Sequence, residues 1–193
     1  MCLQKPLEVK HPLFQIIQKE HEKIVEVLQA CKTTTERKNI LDWLILETED
    51  KHHRKEETFL FSALLPKKNL SQGGPYCVLY FDEHLQNRPA DLAKEITGKD
   101  LEWLERQKTF KDQKSPLDIP LEEHQTLHSL LHFMKSPQAQ ADENKFNRIF
   151  EEYQQLLERH ITKEERCFFR VCEMLLSPLE LTSIAELWVR DTT

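Results

Sequence analysis

Three observations predict an all-α fold. Apolar residues recur at spacings of three and four over long stretches, no convincing run alternates apolar with polar residues as a strand would, and glycine is nearly absent. Only three glycines occur in 193 residues, and two of them are adjacent, Gly73-Gly74. Tight turns are therefore scarce and long helices expected. A chain of this length fits one domain, residues 1–193, and can bury a core without disulfides or structural zinc.

The first long helix is expected over about residues 12–30, where Leu13, Ile17, His21, Ile24 and Leu28 fall on one face. Thr33-Thr34-Thr35-Glu36 reads as a turn and N-cap. It opens a second helix over about residues 36–65, with Leu41, Ile45, Thr48, His52, Glu56, Phe59 and Ala63 inward and Pro66 as its stop. A third, over about 75–98, starts at Gly73-Gly74-Pro75 and carries Phe81, His84 and Arg88. Further on, Ser115-Pro116 and Ile119-Pro120 break any long element. Leu121 to Lys135 then reads as a compact helix ended by Ser136-Pro137. The last long helix covers about 144–176, with Phe146, Ile149, Tyr153, Leu157, His160, Glu164, Cys167 and Val171 inward. Ser177-Pro178-Leu179-Glu180 combines an N-cap serine, proline in the first turn and glutamate three residues on, so a short tail helix follows to about Trp188.

Bulk composition excludes several function classes. The net charge is −6, and Lys and Arg are interleaved with acids, so no basic stripe is available for a phosphate backbone. No apolar stretch approaches membrane-spanning length, and MCLQKPLEVK lacks the apolar run of a signal peptide. Five cysteines, Cys2, Cys31, Cys77, Cys167 and Cys172, form no CxxC and leave one over. Free thiols in a reducing cytoplasm are the simplest expectation, with neither nucleic acid nor membrane as partner.

The chain repeats itself. KHHRKEE at 51–57 and RHITKEE at 159–165 share His, Lys, Glu and Glu in register, and Phe61 and Phe169 match nine residues after each histidine. Lys19-Glu20-His21-Glu22 similarly resembles Leu121-Glu122-Glu123-His124. Two helix hairpins with related internal chemistry would produce this pattern. His52 with Glu56, and His160 with Glu164, stand four apart, roughly 6 Å along a helix axis on one face. One such pair alone is ordinarily an exposed ion pair. Two copies continuing apolar faces, with single histidines on the intervening helices, point instead to a buried cation site, because burying those groups together without one is costly. Mixed nitrogen and oxygen donors suit iron, manganese or zinc better than calcium. His53 with Glu57 offers a second register. His52 with Glu56 is preferred because it superposes on the second copy and continues the stripe of Leu41, Ile45 and Phe59.

Four stretches, HPLFQIIQKEHEKI, HHRKEETFLF, GGPYCVLYFDEH and HITKEERCFFRVCEMLLSPLEL, resemble the hemerythrin-like or HHE cation-binding family. The resemblance implies an antiparallel up-down four-helix bundle with a non-haem di-iron centre. By position its ligands would be His21, His52, Glu56, His84, His160 and Glu164, with the glutamates shared between the irons. For the third ligand helix His84 is preferred. His124, with His128 four residues on, stands as a fifth ligand or an alternative. The stretch of about 99–140 would be an insertion, since family members need less chain there. The N-terminal cysteine pair of some iron-repair relatives is lacking. The implied activity is binding or sensing of oxygen or nitric oxide. Alternatives are a di-iron reductase or peroxidase acting on nitric oxide or peroxide with an outside redox partner protein, an iron-centre repair protein, or an iron-dependent interaction module.

Overall fold

A computed structural model describes residues 10–67, 88–111 and 117–191, and every regular element among them is helical. Helix α1 (Pro12–Ala30) starts with Pro12 in its first turn, and the His11 ring accepts the Leu13 N–H at 3.2 Å, so His11 is a cap. Helix α2 (Thr34–Asn39) opens on a reciprocal capping box between Thr33 and Glu36. It closes at Ile40, so the expected single helix over 36–65 is divided there. Helix α3 follows over residues 41–64. In it, α-helical Leu41–Leu44 leads into π-helical Ile45–His53 and Glu56–Phe61 before closing at Ser62–Leu64.

The described part of the expected third helix is α4 (Pro89–Thr97). It does not continue back through Arg88, whose backbone is extended (φ −61°, ψ 113°). The ring of Pro89 disfavours helical geometry in the residue before it. The helix ends at Gly98, whose φ of 73° is the left-handed cap that glycine adopts without a Cβ clash. His84, Gly73, Gly74, Pro75 and Phe81 lie outside the described residues. Helix α5 (Glu105–Lys111) precedes α6 (Asp118–Met134), which carries Pro120 inside its first turn, where a missing N–H is no loss. After α7 (Pro137–Gln140), helix α8 runs over residues 143–175 as Glu143–Lys163, π-helical Glu164–Phe168 and Phe169–Leu175. The tail helix α9 (Pro178–Arg190) begins with the expected Ser177–Glu180 capping box.

Two apolar clusters sit at opposite ends of a polar layer. One holds Leu13, Phe14, Ile17, Leu60, Phe61, Leu121, Phe168, Phe169 and Trp188. The other holds Ile24, Leu28, Leu41, Leu44, Leu127, Phe150, Tyr153, Leu157 and Ile161. Along α1 and α6 the chain passes from the first cluster to the second, and along α3 and α8 it returns. His21, Glu56, His124, His160 and Glu164 lie between, 0–1% exposed. Each large apolar side chain buried in the flanking layers contributes about 1.5–3 kcal/mol. That is what lets the fold carry a layer of buried ionisable groups that cost several kcal/mol each. Helix α6 is thus part of the core, although it falls in the stretch expected to be an insertion. No described helix is long and apolar enough to cross a membrane.

Candidate metal centre

Four helices each present one histidine to the polar layer: His21 from α1, His52 from α3, His124 from α6 and His160 from α8. Their Nε2 atoms meet in pairs, His21 with His52 at 2.9 Å and His124 with His160 at 3.1 Å. Two carboxylates stand between the pairs. Glu56 Oε2 lies 3.7 Å from His52 Nε2 and 3.4 Å from His124 Nε2. Glu164 presents Oε2 to His21 at 3.4 Å and Oε1 to His160 at 3.3 Å. Two adjoining four-residue groups result, His21/His52/Glu56/Glu164 and Glu56/His124/His160/Glu164, each with donor atoms within 4.8 Å of one another. Ligand bonds of about 2.1 Å place neighbouring donors roughly 3–3.5 Å apart, close to the spacings here. The chemistry of the set therefore fits a pair of cations sharing two carboxylates.

The outward ring nitrogens are as ordered as the inward ones. Each Nδ1 is 2.9 Å from a carboxylate of a different helix: His21 with Glu165, His52 with Glu20, His124 with Glu57, and His160 with Glu123. These pairings close a ring, α1 to α8 to α6 to α3 and back to α1. A carboxylate on Nδ1 fixes the tautomer that leaves Nε2 free as a donor to a metal. The outer carboxylates are themselves anchored. Lys55 and the Trp188 indole donate to Glu20 at 2.6 and 2.9 Å, Lys163 donates to Glu123, and Arg106 and Gln107 each donate to Glu57 at 2.7 Å.

Charge in this layer is resolved unevenly. Burial, then the neighbouring Glu164, pushes Glu56 well above the usual carboxylate range. Burial also opposes ionisation of Glu164, but His160 and His21 outweigh it and hold its pKa at about 2. Burial works against charge on His21 as well, yet Glu164 and Glu165 raise it to about 9. His52, opposed by burial and facing His21, falls to about 4 despite Glu20. Both oxygens of Glu56 and both of Glu164 lack a hydrogen-bond partner. Fully buried carboxylates without partners are rare, and cations between the histidine pairs would satisfy all four oxygens.

Of the residues singled out from sequence, His21, His52, Glu56, His124, His160 and Glu164 converge, and His84 lies outside the described residues. Among the described residues, the histidine that joins those of α1, α3 and α8 in these groups is His124 of α6. His128, one turn on, does not reach the centre and faces Glu49 instead, at 3.5 Å. Sequence reasoning did not single out the outer carboxylates Glu20, Glu123 and Glu165, and it weighed Glu57 only as an inner ligand in the second register. Their signal was present, since Glu-His recurs at 20–21 and 123–124 and Glu-Glu at 56–57 and 164–165. His53 was weighed only as an alternative partner for Glu57. It is fully buried, its ring stacked on His124 at 3.8 Å between centroids. With His124 and His160 it forms a third group of converging donors. Compared with protein-family models, curated proteins and solved structures, the chain matches none of them.

Proposed function

We propose that this chain is a hemerythrin-like, non-haem di-iron protein, an antiparallel four-helix bundle of α1, α3, α6 and α8 that binds or senses oxygen or nitric oxide. The observation that carries this reading is the pair of buried carboxylates, Glu56 and Glu164. Each stands between two histidine pairs with no hydrogen-bond partner for either oxygen. Four imidazoles and two carboxylates form the mixed nitrogen and oxygen set that iron accepts, and bundle cores supply such sites from facing helices.

When bound, a reduced iron pair with an open coordination position supplies binding and redox chemistry toward small oxygen- and nitrogen-containing ligands. The chain's own part is to orient and to exclude. Glu20, Glu57, Glu123 and Glu165 fix the four rings, and the apolar layers around Phe61, Phe168, Leu127 and Tyr153 keep bulk water from the donor atoms. Burial and the neighbouring Glu164 favour the protonated form of Glu56 in the metal-free site, and cation binding would favour loss of that proton. The described cysteines Cys31, Cys167 and Cys172 are free thiols, which supports a reducing, cytoplasmic setting.

The test is anaerobic titration with ferrous iron, followed by admission of oxygen or nitric oxide. About two irons per chain and a reversible change in the visible spectrum are expected. Failure to retain iron would overturn the reading. Steady turnover of nitric oxide or peroxide with an electron donor would replace binding by catalysis and call for a redox partner protein.

A further inference from the structure

Aligning Glu20-His21 with Glu123-His124, and residues 52–57 with 160–165, relates the two halves of the centre. One turn away from it the correspondence breaks. Val25 of α1 and Leu157 of α8 are apolar and pack in one cluster, whereas their counterparts are His128 of α6 and Glu49 of α3. Glu49 is 1% exposed, and neither of its oxygens has a hydrogen-bond partner among the described residues. A carboxylate buried in that way is costly unless something else compensates its charge.

Glu49 Oε2 lies 3.5 Å from His128 Nδ1, an atom that is itself buried and without a hydrogen-bond partner among the described residues. That is too long for a good hydrogen bond and within the separation of two donors on one cation. His132 stands one turn further along α6 on the same face, its ring centroid 4.1 Å from that of His128. Two imidazoles one turn apart, with a carboxylate from a second helix, make a three-ligand set for a first-row divalent cation. Exposure rises along the set, from buried Glu49 through the 22%-exposed side chain of His128 to exposed His132. The donors of the centre itself are only 0–2% exposed. Inward, Glu49 Oε1 lies 3.4 Å from His53 Nδ1, and the His53 ring stacks on His124 at 3.8 Å. Polar groups thus lead from the solvent-facing His132 to the centre.

Resting on the di-iron reading for its role, we infer that Glu49, His128 and His132 form an entry site, where a divalent cation is first taken up before it passes to the buried pair. Arg106 keeps its hold weak. The guanidinium Nη2 is 3.6 Å from Glu49 Oε2, and its positive charge opposes a cation there even though its Nε is engaged by Glu57 at 2.7 Å. Weak retention between solvent and the centre serves passage rather than storage.

The experiment titrates the metal-free full chain with cobalt(II) and follows the filling of the centre by its visible absorption. A weaker equivalent beyond the pair is expected, and it should be lost in His132→Ala and in Glu49→Gln. His132→Ala should also slow filling of the centre roughly tenfold, with the final affinity of the pair unchanged. His132 is exposed, so its loss disturbs no core packing. Uptake of the pair alone by the unsubstituted chain, or an extra equivalent that survives Glu49→Gln, would overturn the site. An extra equivalent whose loss leaves the filling rate unchanged would overturn its role in entry. A single weak ion, lost in His132→Ala, with no pair taken up would instead overturn the di-iron reading.

Discussion

Glu57 accepts the Nδ1–H of His124 at 2.9 Å, and it does so from the residue directly after Glu56, which faces the inner nitrogens. One Glu-Glu pair thus serves two shells of the centre. Burial leads the effects on Glu57 and, despite Arg106 and Gln107, raises its pKa to about 7, so its carboxylate is easily neutralised. Glu57→Ala should weaken metal binding roughly 10–100-fold, the usual cost of losing an outer partner. Glu56→Ala or Glu164→Ala should cost more, since each removes a donor offered to both positions. Competition with a graded series of chelators would rank the three, and an unchanged affinity in Glu57→Ala would show that His124 does not depend on it.

Without metal, the centre is a burden on the fold. Glu56→Leu keeps similar bulk and removes two unpartnered buried oxygens. It should raise the stability of the metal-free protein by about 1–4 kcal/mol, as replacement of buried ionic groups often does. The same substitution should abolish stabilisation by added iron. Urea unfolding with and without chelator measures both, and a Glu56→Leu protein that is less stable when metal-free would contradict this account.

The pH dependence of the metal-free protein follows from groups whose shifts have clear causes. His21, opposed by burial but raised to about 9 by Glu164 and Glu165, contributes stability that is complete below 6.5 and is lost as pH rises from 6.5 through about 9. The loss is on the order of 3 kcal/mol. On the acid side, His52 is held neutral with a pKa of about 4, so stability falls as pH drops from 6.5 through about 4. Glu20 adds a further loss between 4.5 and about 2, because His52 and Lys55 outweigh the burial that opposes its charge. These histidines by themselves place the maximum in the presence of chelator near pH 6.5, and the raised carboxyls of Glu56 and Glu57, the latter at about 7, lose stability as pH climbs above 4.5 and draw it lower. A flat profile from 6.5 to 9 would rule out the charged His21.

Metal should stabilise by mass action. At free iron 100 times the dissociation constant, the gain for a single site is about 2.7 kcal/mol. The melting midpoint should climb with iron concentration and fall back on chelation. An unchanged midpoint would mean that the histidine–carboxylate layer is not where the ion binds.

Trp188 ties the tail helix to this layer, its indole N–H donating to Glu20 while the Lys55 ammonium lies 4.8 Å from the ring centroid. Trp188→Phe keeps an apolar ring and removes the donor. A loss of about 1 kcal/mol in stability is expected, with a few-fold weakening of metal binding through His52. An unchanged stability and metal affinity in Trp188→Phe, with a loss only in Trp188→Ala, would show that the hydrogen bond contributes little beside packing.

Much of this centre is legible in the chain itself, because its signals are local. Spacings of three and four place His21, His52, Glu56, His160 and Glu164 on the inner stripes of their helices, and the doubled HxxKEE motif says that two such stripes belong together. Caps at Thr33 and Ser177 are equally local, since each needs only a side chain and a backbone three residues away. What depended on chain folding was everything decided between helices. Choosing α6 to bring His124 opposite His160 joins residues 36 apart, and pairing each outer glutamate with a histidine of another helix joins residues as far apart as His21 and Glu165. Helical periodicity reports which face a residue lies on but not which partner that face meets. It also assumes one rotation per residue, so a π-helical stretch that turns His53 inward beside His52 is invisible to it.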